Sequence, residues 1–396
     1  MTSEHRAVSS ELEWLSKLIS FNTVQDNTEG HLKAADYLKR ELERLGCRVD
    51  MIDAFEDGRA DSPKPNVIGY MDFGKKEAVA INCHYDVVPP GDGWSTDPFT
   101  MVLKNGAAYG RGASDDKGAI AISLGTLKRL AREGSKYNLQ LVFPCEEEVG
   151  GELGTGYVLR KTKGRGVSMA IVLDSRKKAI LGTSGVVRGT IRVHGVQAHA
   201  GQEWAGKNAI SEGVRLLAEM EHYKEIRKRH VSRLSLPEPT LPDNTKCFGR
   251  FNVTVLNAGS AYNTIPGKLE ARFDMRLIPE EKAKTAIAEL RKFFGSAVKR
   301  TGVAAELGID MQADGYAEDG RDVHIAGFMR AAGFSGEYAT SGSNDGRFYH
   351  NLGIPTMVTG MQIARSHHKP DESIKISEIV ETEDMLLRFL GEKGGR

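Results

Sequence analysis

The stretch Ala78-Val79-Ala80-Ile81-Asn82-Cys83, followed at once by His84-Tyr85-Asp86, decides how this chain reads. A strand-like apolar run stops on an imidazole, with a carboxylate two residues further on. The same figure recurs downstream. Asn138 to Phe143 runs towards Glu146-Glu147-Glu148, and Met169 to Leu173 runs into Asp174. Between them, Gly112-Ala113-Ser114-Asp115-Asp116-Lys117-Gly118 opens a helical pattern from Lys117 to Glu133, and His367-His368 lies near the C-terminus. Strands alternating with helices imply an α/β layer architecture with a largely parallel sheet. Ligands of such sheets gather beyond the carboxyl ends of the strands, where His84, Glu146 to Glu148 and Asp174 all fall.

A single His-x-Asp is a weak signal. The weight comes from several independent segments, each delivering His, Asp or Glu from an apolar run into a turn. Buried charges of this kind are costly unless paired or bound to metal. A structural ion-pair network would call for arginines alternating with the carboxylates, yet Lys117 is the only basic residue between His84 and Glu148 that adjoins one of these acids. Hard oxygen donors with imidazoles and no cysteine cluster suit a pair of divalent ions, zinc first, with coordination left open for water.

The 396 residues are enough for two domains, and 40% hydrophobic with 27% charged residues is an ordinary globular composition. A net charge of +1, with no segment concentrating aromatics among Lys and Arg, gives no footprint for nucleic acid. Cys47, Cys83, Cys145 and Cys247 follow no metal-binding or redox spacing. That pattern favours a reducing compartment. The opening Met1-Thr2-Ser3-Glu4-His5-Arg6 lacks the regions of a signal peptide, and no run is apolar for the roughly 18 residues a membrane helix needs. The expectation is a cytoplasmic protein.

Ser10 is placed to cap a first helix, and a second is expected from His31 to Leu45 with Leu32, Ala35, Leu38, Leu42 and Leu45 facing inward, ended by Gly46. After Gly182 the pattern changes. Val186 to Val196, Arg250 to Leu256 and Lys268 to Leu277 alternate apolar and polar, as strands wet on one face do, with helices expected from Lys207 to Lys228 and from Pro279 to Arg300. This β-α-β-β-α order is read as an α+β insertion covering 183–300, within a catalytic domain made of 1–182 and 301–396. Asp174 and His368 then lie on opposite sides of the insertion and return to one domain.

At this point the residues resemble a known family, the cocatalytic zinc aminoacylases and carboxypeptidases that include succinyl-diaminopimelate desuccinylase, acetylornithine deacetylase and glutamate carboxypeptidase relatives. The matching pieces are His84-Tyr-Asp86-Val-Val-Pro89, Trp94-Ser-Thr-Asp97-Pro-Phe99, Tyr109-Gly-Arg-Gly-Ala-Ser-Asp115-Asp-Lys-Gly118 and Glu146-Glu-Glu148-Val-Gly-Gly151. They continue with Gly195-Val-Gln-Ala-His199, Gly206-Lys-Asn208-Ala-Ile210, Asn263-Thr-Ile-Pro266, Gly342-Ser-Asn-Asp345-Gly-Arg347-Phe348 and His368-Lys-Pro-Asp-Glu372. Each is weak alone. Together, in family order over nearly the whole chain, they are specific.

The resemblance implies a zinc-peptidase-like catalytic domain with a mixed, largely parallel sheet, and an inserted ferredoxin-like dimerisation or lid domain. It implies two zinc ions per subunit, with cobalt or manganese as substitutes. His84 and Asp174 would ligate one, Glu148 and His368 the other, and Asp115 would bridge. Asp86 would accept the N–H of His84 and fix its tautomer. Glu147 would be the general base, and His199, from the partner subunit of a homodimer, would donate to the tetrahedral oxyanion. Arg276 and Arg347 would fork onto a substrate carboxylate, with Asn263, Gly342 and Ser343 adding hydrogen bonds. Asp116, His367 and Glu146 are left out of the set. The implied reaction is hydrolysis of the amide of an N-acyl amino acid or short peptide.

One departure bears on substrate. Desuccinylases carry an arginine pair at the start of the insertion, whereas this chain reads Val186-Val187-Arg188-Gly189-Thr190, with one basic residue missing. A broad metallo-carboxypeptidase or dipeptidase fits as well as a biosynthetic deacylase. A phosphoesterase would want a cationic phosphate cradle, which these ligands lack. A non-catalytic binding relative would not need an intact Glu147.

Overall fold

The computed structural model describes residues 8–361 and 366–392. Two compact units emerge: one runs to Leu181 and adds Glu318–Glu337 and the chain from Asn344, and the other comprises Gly182–Ala317 with Tyr338–Ser343.

The first unit is built on a mixed sheet. Its centre is Ala78–Asn82, buried at every position and parallel to both Asn138–Phe143 and Val167–Val172. Thr356–Val358 continues the parallel set beside Val167–Val172. On the other side Asn66–Met71 and then Arg48–Ile52 close the sheet antiparallel. A strand hydrogen-bonded on both sides and covered on both faces must be apolar throughout, which is how Ala-Val-Ala-Ile reads. The helix Lys117–Glu133 packs against Ser9–Ile19 and Ile376–Leu390. A Cβ on its Gly125 would stand 2.4 Å from Glu11 Oε1, so a larger residue there would displace the Glu11 side chain.

Two local expectations fail for physical reasons. Ser10 does not cap the first helix, which begins at Ser9 without a side-chain cap; its Oγ accepts a hydrogen bond from Lys128 Nζ at 2.6 Å instead. The second helix is Thr28–Arg44, capped by Asn27, whose side chain accepts from the N–H of Gly30. Its buried stripe runs through His31, Ala34, Ala35, Leu38 and Leu42, so Leu32 falls outside it and is exposed, and Leu45 is the C-cap, only partly buried.

The second unit is a four-stranded antiparallel sheet in the order Arg250–Ala258, Lys268–Arg276, Val186–His194, Ala305–Ala313. The helices Ala209–Lys228 and Ala283–Thr301 supply Leu216, Met220, Tyr223, Leu290 and Phe294 to its core. With its fourth strand, the β-α-β-β-α-β order is that of the ferredoxin-like fold. The expected boundary at 300 leaves the chain beyond it to the catalytic domain. Instead the helix stops at Gly302, in a left-handed conformation at φ +65°, and Ala305–Ala313 returns along Val186–His194. Between the helix Ala209–Lys228 and the strand Arg250–Ala258 lie the short strands Val231–Ser235 and Lys246–Phe248. Among the described residues no helix is long and apolar enough to cross a membrane.

Candidate metal centre

The central strand ends at Asn82, and Cys83 carries the chain into His84, which is 1% exposed. Three contacts fix that residue. Its backbone N–H donates to Asp116 Oδ2 at 3.2 Å, Nδ1 lies 3.0 Å from the Asp86 carbonyl, and Nε2 lies 3.0 Å from Asp115 Oδ1. A carbonyl only accepts, so Nδ1 carries the proton. Nε2 is then a lone pair aimed at a carboxylate oxygen, and that pair needs a proton or a cation between its members.

Asp86 does more than the sequence reading gave it. Its carboxylate is 3.4 Å from His84 Nδ1, further than its carbonyl, and it also accepts the backbone N–H groups of Glu147 at 3.2 Å and Glu148 at 3.1 Å. Those donors open the short 3-10 turn Glu147–Val149, whose amides need partners. Gly150 and Gly151, at φ +114° and +71°, then reverse the chain, and a Cβ on Gly151 would stand 2.4 Å from Asp345 Oδ1. One buried aspartate therefore ties the histidine after one strand to the glutamates after another.

Asp115 faces both ways. Its Oδ1 meets His84, and its Oδ2 lies 3.3 Å from His368 Nε2, which is also 3.1 Å from Glu148 Oε2. His84, Asp115 and Glu148 form one group of donor atoms within 4.8 Å of one another, and His84, Glu147 and Asp174 form a second. Ligands on a tetrahedral zinc at about 2.0–2.1 Å stand about 3.3 Å apart, close to these separations.

The electrostatics argue the same way. Burial, then Asp174, drives the Glu147 carboxyl well above the usual range, and burial, then Asp115, does so for Asp174. Burial opposes ionisation of Asp115, but its bonds to His368 and His84 hold it below the ordinary value. The Asp115 and Glu148 bonds lift His368 to about 10. Carboxylates crowded until some keep their protons, beside imidazoles forced to hold theirs, are the signature of a site short of positive charge. Divalent cations fit this donor set.

Of the remaining expected residues, all but Arg347 belong to the second unit. His199 is exposed in the second unit, its Nδ1 accepting from Gly201 N–H at 3.1 Å. The Asn263 carbonyl accepts from Ala200 N–H at 2.8 Å, and Ser343 is exposed. The Gly342 carbonyl accepts from the Thr183 hydroxyl and from Thr340 Oγ1. Arg276 is engaged with both oxygens of Asp274, at 2.7 and 3.2 Å, and with the Ser341 carbonyl at 3.0 Å. Arg347, in the first unit, donates to the Gly150 carbonyl and stacks on Phe348.

Sequence reasoning missed two buried acids. Asp345 takes a 2.6 Å hydrogen bond from Thr155 Oγ1 and is raised to about 6, chiefly by burial. Glu372 lies beneath the Asp115 loop. Both stood inside quoted motifs, but nothing in the sequence distinguished a buried carboxylate there from a solvated one. Asp116, set aside from the ligands, is fully buried under His84.

An α/β sheet whose strands end in paired carboxylate and imidazole donors, with a ferredoxin-like insertion, defines a class of metal-dependent hydrolase. The chain belongs to peptidase family M20/M25/M40, which its residues 80–392 match. It is 26% identical to an uncharacterized metallohydrolase of Methanocaldococcus jannaschii, over 95% of this chain and 97% of that one. It is 24% identical to a succinyl-diaminopimelate desuccinylase of Nautilia profundicola, over 96% of this chain and 99% of that one. Aminopeptidase PepT of Bacillus cereus shares the fold at a TM-score of 0.76 and 17% identity, covering 96% of this chain and 97% of that one.

Proposed function

We propose that the protein is a two-zinc amidohydrolase that releases a free amine from N-acyl amino acids, with short peptides as the second substrate class. The observation that carries this reading is the Asp115 carboxylate standing between His84 on one side and His368 with Glu148 on the other. Divalent metal bound there supplies Lewis-acid polarisation of an amide carbonyl and a lowered pKa for water. The chain's own chemistry falls to Glu147, whose backbone is fixed by Asp86 and whose side chain is largely buried yet keeps some exposure. It takes the proton of the attacking water and returns it to the departing amine. Glu148, held by the neighbouring amide contact to the same Asp86, faces His368 instead.

His199 is the proposed oxyanion donor, supplied by the second chain of a homodimer. Arg276, Arg347, Asn263, Gly342 and Ser343 are the proposed substrate contacts. Arg276 keeps N–H groups beyond those spent on Asp274 and Ser341 for a substrate carboxylate. Arg188, the one basic residue left at the start of the insertion, is paired with Asp274 at 3.0 Å. That commitment favours a smaller acyl amino acid over diaminopimelate derivatives. The four cysteines are buried and free, which suits a cytoplasmic protein.

The test is amine release from a panel of N-acetyl and N-succinyl amino acids and dipeptides, with metal content measured on the same preparation. Acyl amino acids should lead the panel. Dipeptides turned over with no acyl amino acid cleaved would replace the deacylase reading with the peptidase one, and two bound metals without turnover of either would favour a binding protein. Mixing His199→Ala with Glu147→Gln protein should restore activity in up to about half of heterodimer sites. No recovery despite proven subunit exchange would place His199 in its own chain's reaction or outside the reaction.

A further inference from the structure

Glu372 is 0% exposed and collects an unusual set of donors. Its Oε1 accepts from Ser114 N–H at 2.9 Å, Ser114 Oγ at 3.1 Å and Asp115 N–H at 3.0 Å. Its Oε2 accepts from Gly112 N–H at 3.0 Å and from Arg111 Nη1 at 2.6 Å, and Arg111 is itself 1% exposed. The Glu372 carbonyl adds a bond from Gly110 N–H at 2.9 Å. The whole loop from Gly110 to Asp115 is thus wrapped on one residue.

That residue ends the turn that begins at His368. The turn is anchored at its other side by Asp371, whose Oδ1 accepts both Ser95 N–H and Ser95 Oγ at 2.9 Å. The bridging carboxylate and the second histidine therefore share one support, which neither the ligand chemistry nor the family match assigns.

We propose that Glu372 is a positioning residue for the Asp115–Glu148–His368 side of the centre. This rests on the two-metal reading above. Two of the three donors on that side, Asp115 and His368, depend on Glu372 for their backbone placement, against only Asp115 on the side of His84 and Asp174. Loss of Glu372 then loosens one metal position more than the other.

The carboxylate cannot be imitated. Both oxygens accept, so a glutamine must turn its NH2 towards either the Ser114–Asp115 amides or the Gly112–Arg111 pair, and among these five donors only the Ser114 hydroxyl can turn to accept. Removing a group that orients a metal ligand typically costs 10–100-fold in affinity.

The experiment titrates metal-free protein with Co²⁺ alone, following its visible absorption and the bound stoichiometry, with no substrate present. Wild type should take two equivalents. Glu372→Gln should take the first with unchanged affinity and the second at least about tenfold more weakly. Ser114→Ala, which removes one side-chain donor and leaves the backbone intact, should shift the second equivalent in the same direction by less. It carries the test if Glu372→Gln fails to fold, as judged by circular dichroism and thermal unfolding of the metal-free protein. Two unchanged equivalents in a folded Glu372→Gln, or in Ser114→Ala where that is the only folded variant, would overturn the positioning role. Equal weakening of both equivalents would overturn its asymmetry. Wild type taking fewer than two would instead overturn the two-metal reading, so the two failures are distinguishable.

Discussion

The two histidines of the centre are held in opposite ways. His84 follows the fully buried central strand, is 1% exposed, and has its backbone N–H and both ring nitrogens engaged. His368 stands on a turn, its side chain 49% exposed and its backbone at φ +59°, a conformation rarely adopted by residues other than glycine. One end of the site is part of the core. The other is a loop pinned to the core by Asp371 and Glu372. A sheet can place a ligand through packing alone, whereas a turn needs polar anchors of its own. The His84 end should therefore couple to folding and the His368 end to metal exchange.

The largest effect concerns Glu147, the proposed base, at the buried end. Glu147→Gln keeps the size of the side chain and the Asp86 contact to its amide, so metal content and fold should persist while kcat falls at least ~100-fold. Near-normal turnover would move the base to another group, Glu146 or Glu148 first. The two histidines separate next. His84→Ala should cost the metal-free protein about 1–3 kcal/mol of stability, the scale for buried polar partners left unsatisfied. His368→Ala removes a half-exposed imidazolium paired with Asp115 and Glu148, so it should cost the metal-free protein less than His84→Ala while losing mainly one metal equivalent. Denaturant unfolding after chelation measures both, and equal losses would erase the contrast between the two ends.

The smallest effect lies in the helix Ile376–Leu390, which follows the His368 turn. Burial, and then Glu11, pushes Glu383 up to about 7. A carboxyl raised in the folded state favours folding while protonated, and that contribution is lost as pH rises from its unfolded value near 4.5 through about 7. Glu383→Gln should flatten the fall in melting temperature over this window without altering metal stoichiometry. An unchanged pH profile would mean that Glu383 is not protonated in the fold, and a changed stoichiometry would mean that the turn is not insulated from its helix.

Much of this was legible in the residues because function and burial pulled the same way. His84, Glu147, Glu148 and Asp174 stand just past apolar runs, and a polar residue in that position is conspicuous in a one-dimensional pattern. The structure brings them together with Asp115 and His368; their roles are assigned by proposal. What failed depended on tertiary partners. Leu32 and Ser10 follow helical rules, but the buried stripe runs through His31 and Ala34 and leaves the one outside it, and Lys128 took the hydroxyl of the other. Ala305–Ala313 carries a strand pattern that either unit could use, and only pairing with Val186–His194 decides between them. Glu372 sat in a motif quoted for its histidine, and its five donors come from a loop more than 250 residues away in sequence. Arg276 and Arg347 were read for their free charge, and the fold spends much of it on Asp274 and the Gly150 carbonyl.

The central claim, that one carboxylate serves two ions, is tested most directly by elemental analysis of Asp115→Ala beside wild type after equilibration with zinc. Asp115 has one oxygen towards each histidine. The account predicts two equivalents in wild type and close to none in the variant, with its circular dichroism unchanged. Two full equivalents retained by Asp115→Ala would contradict it.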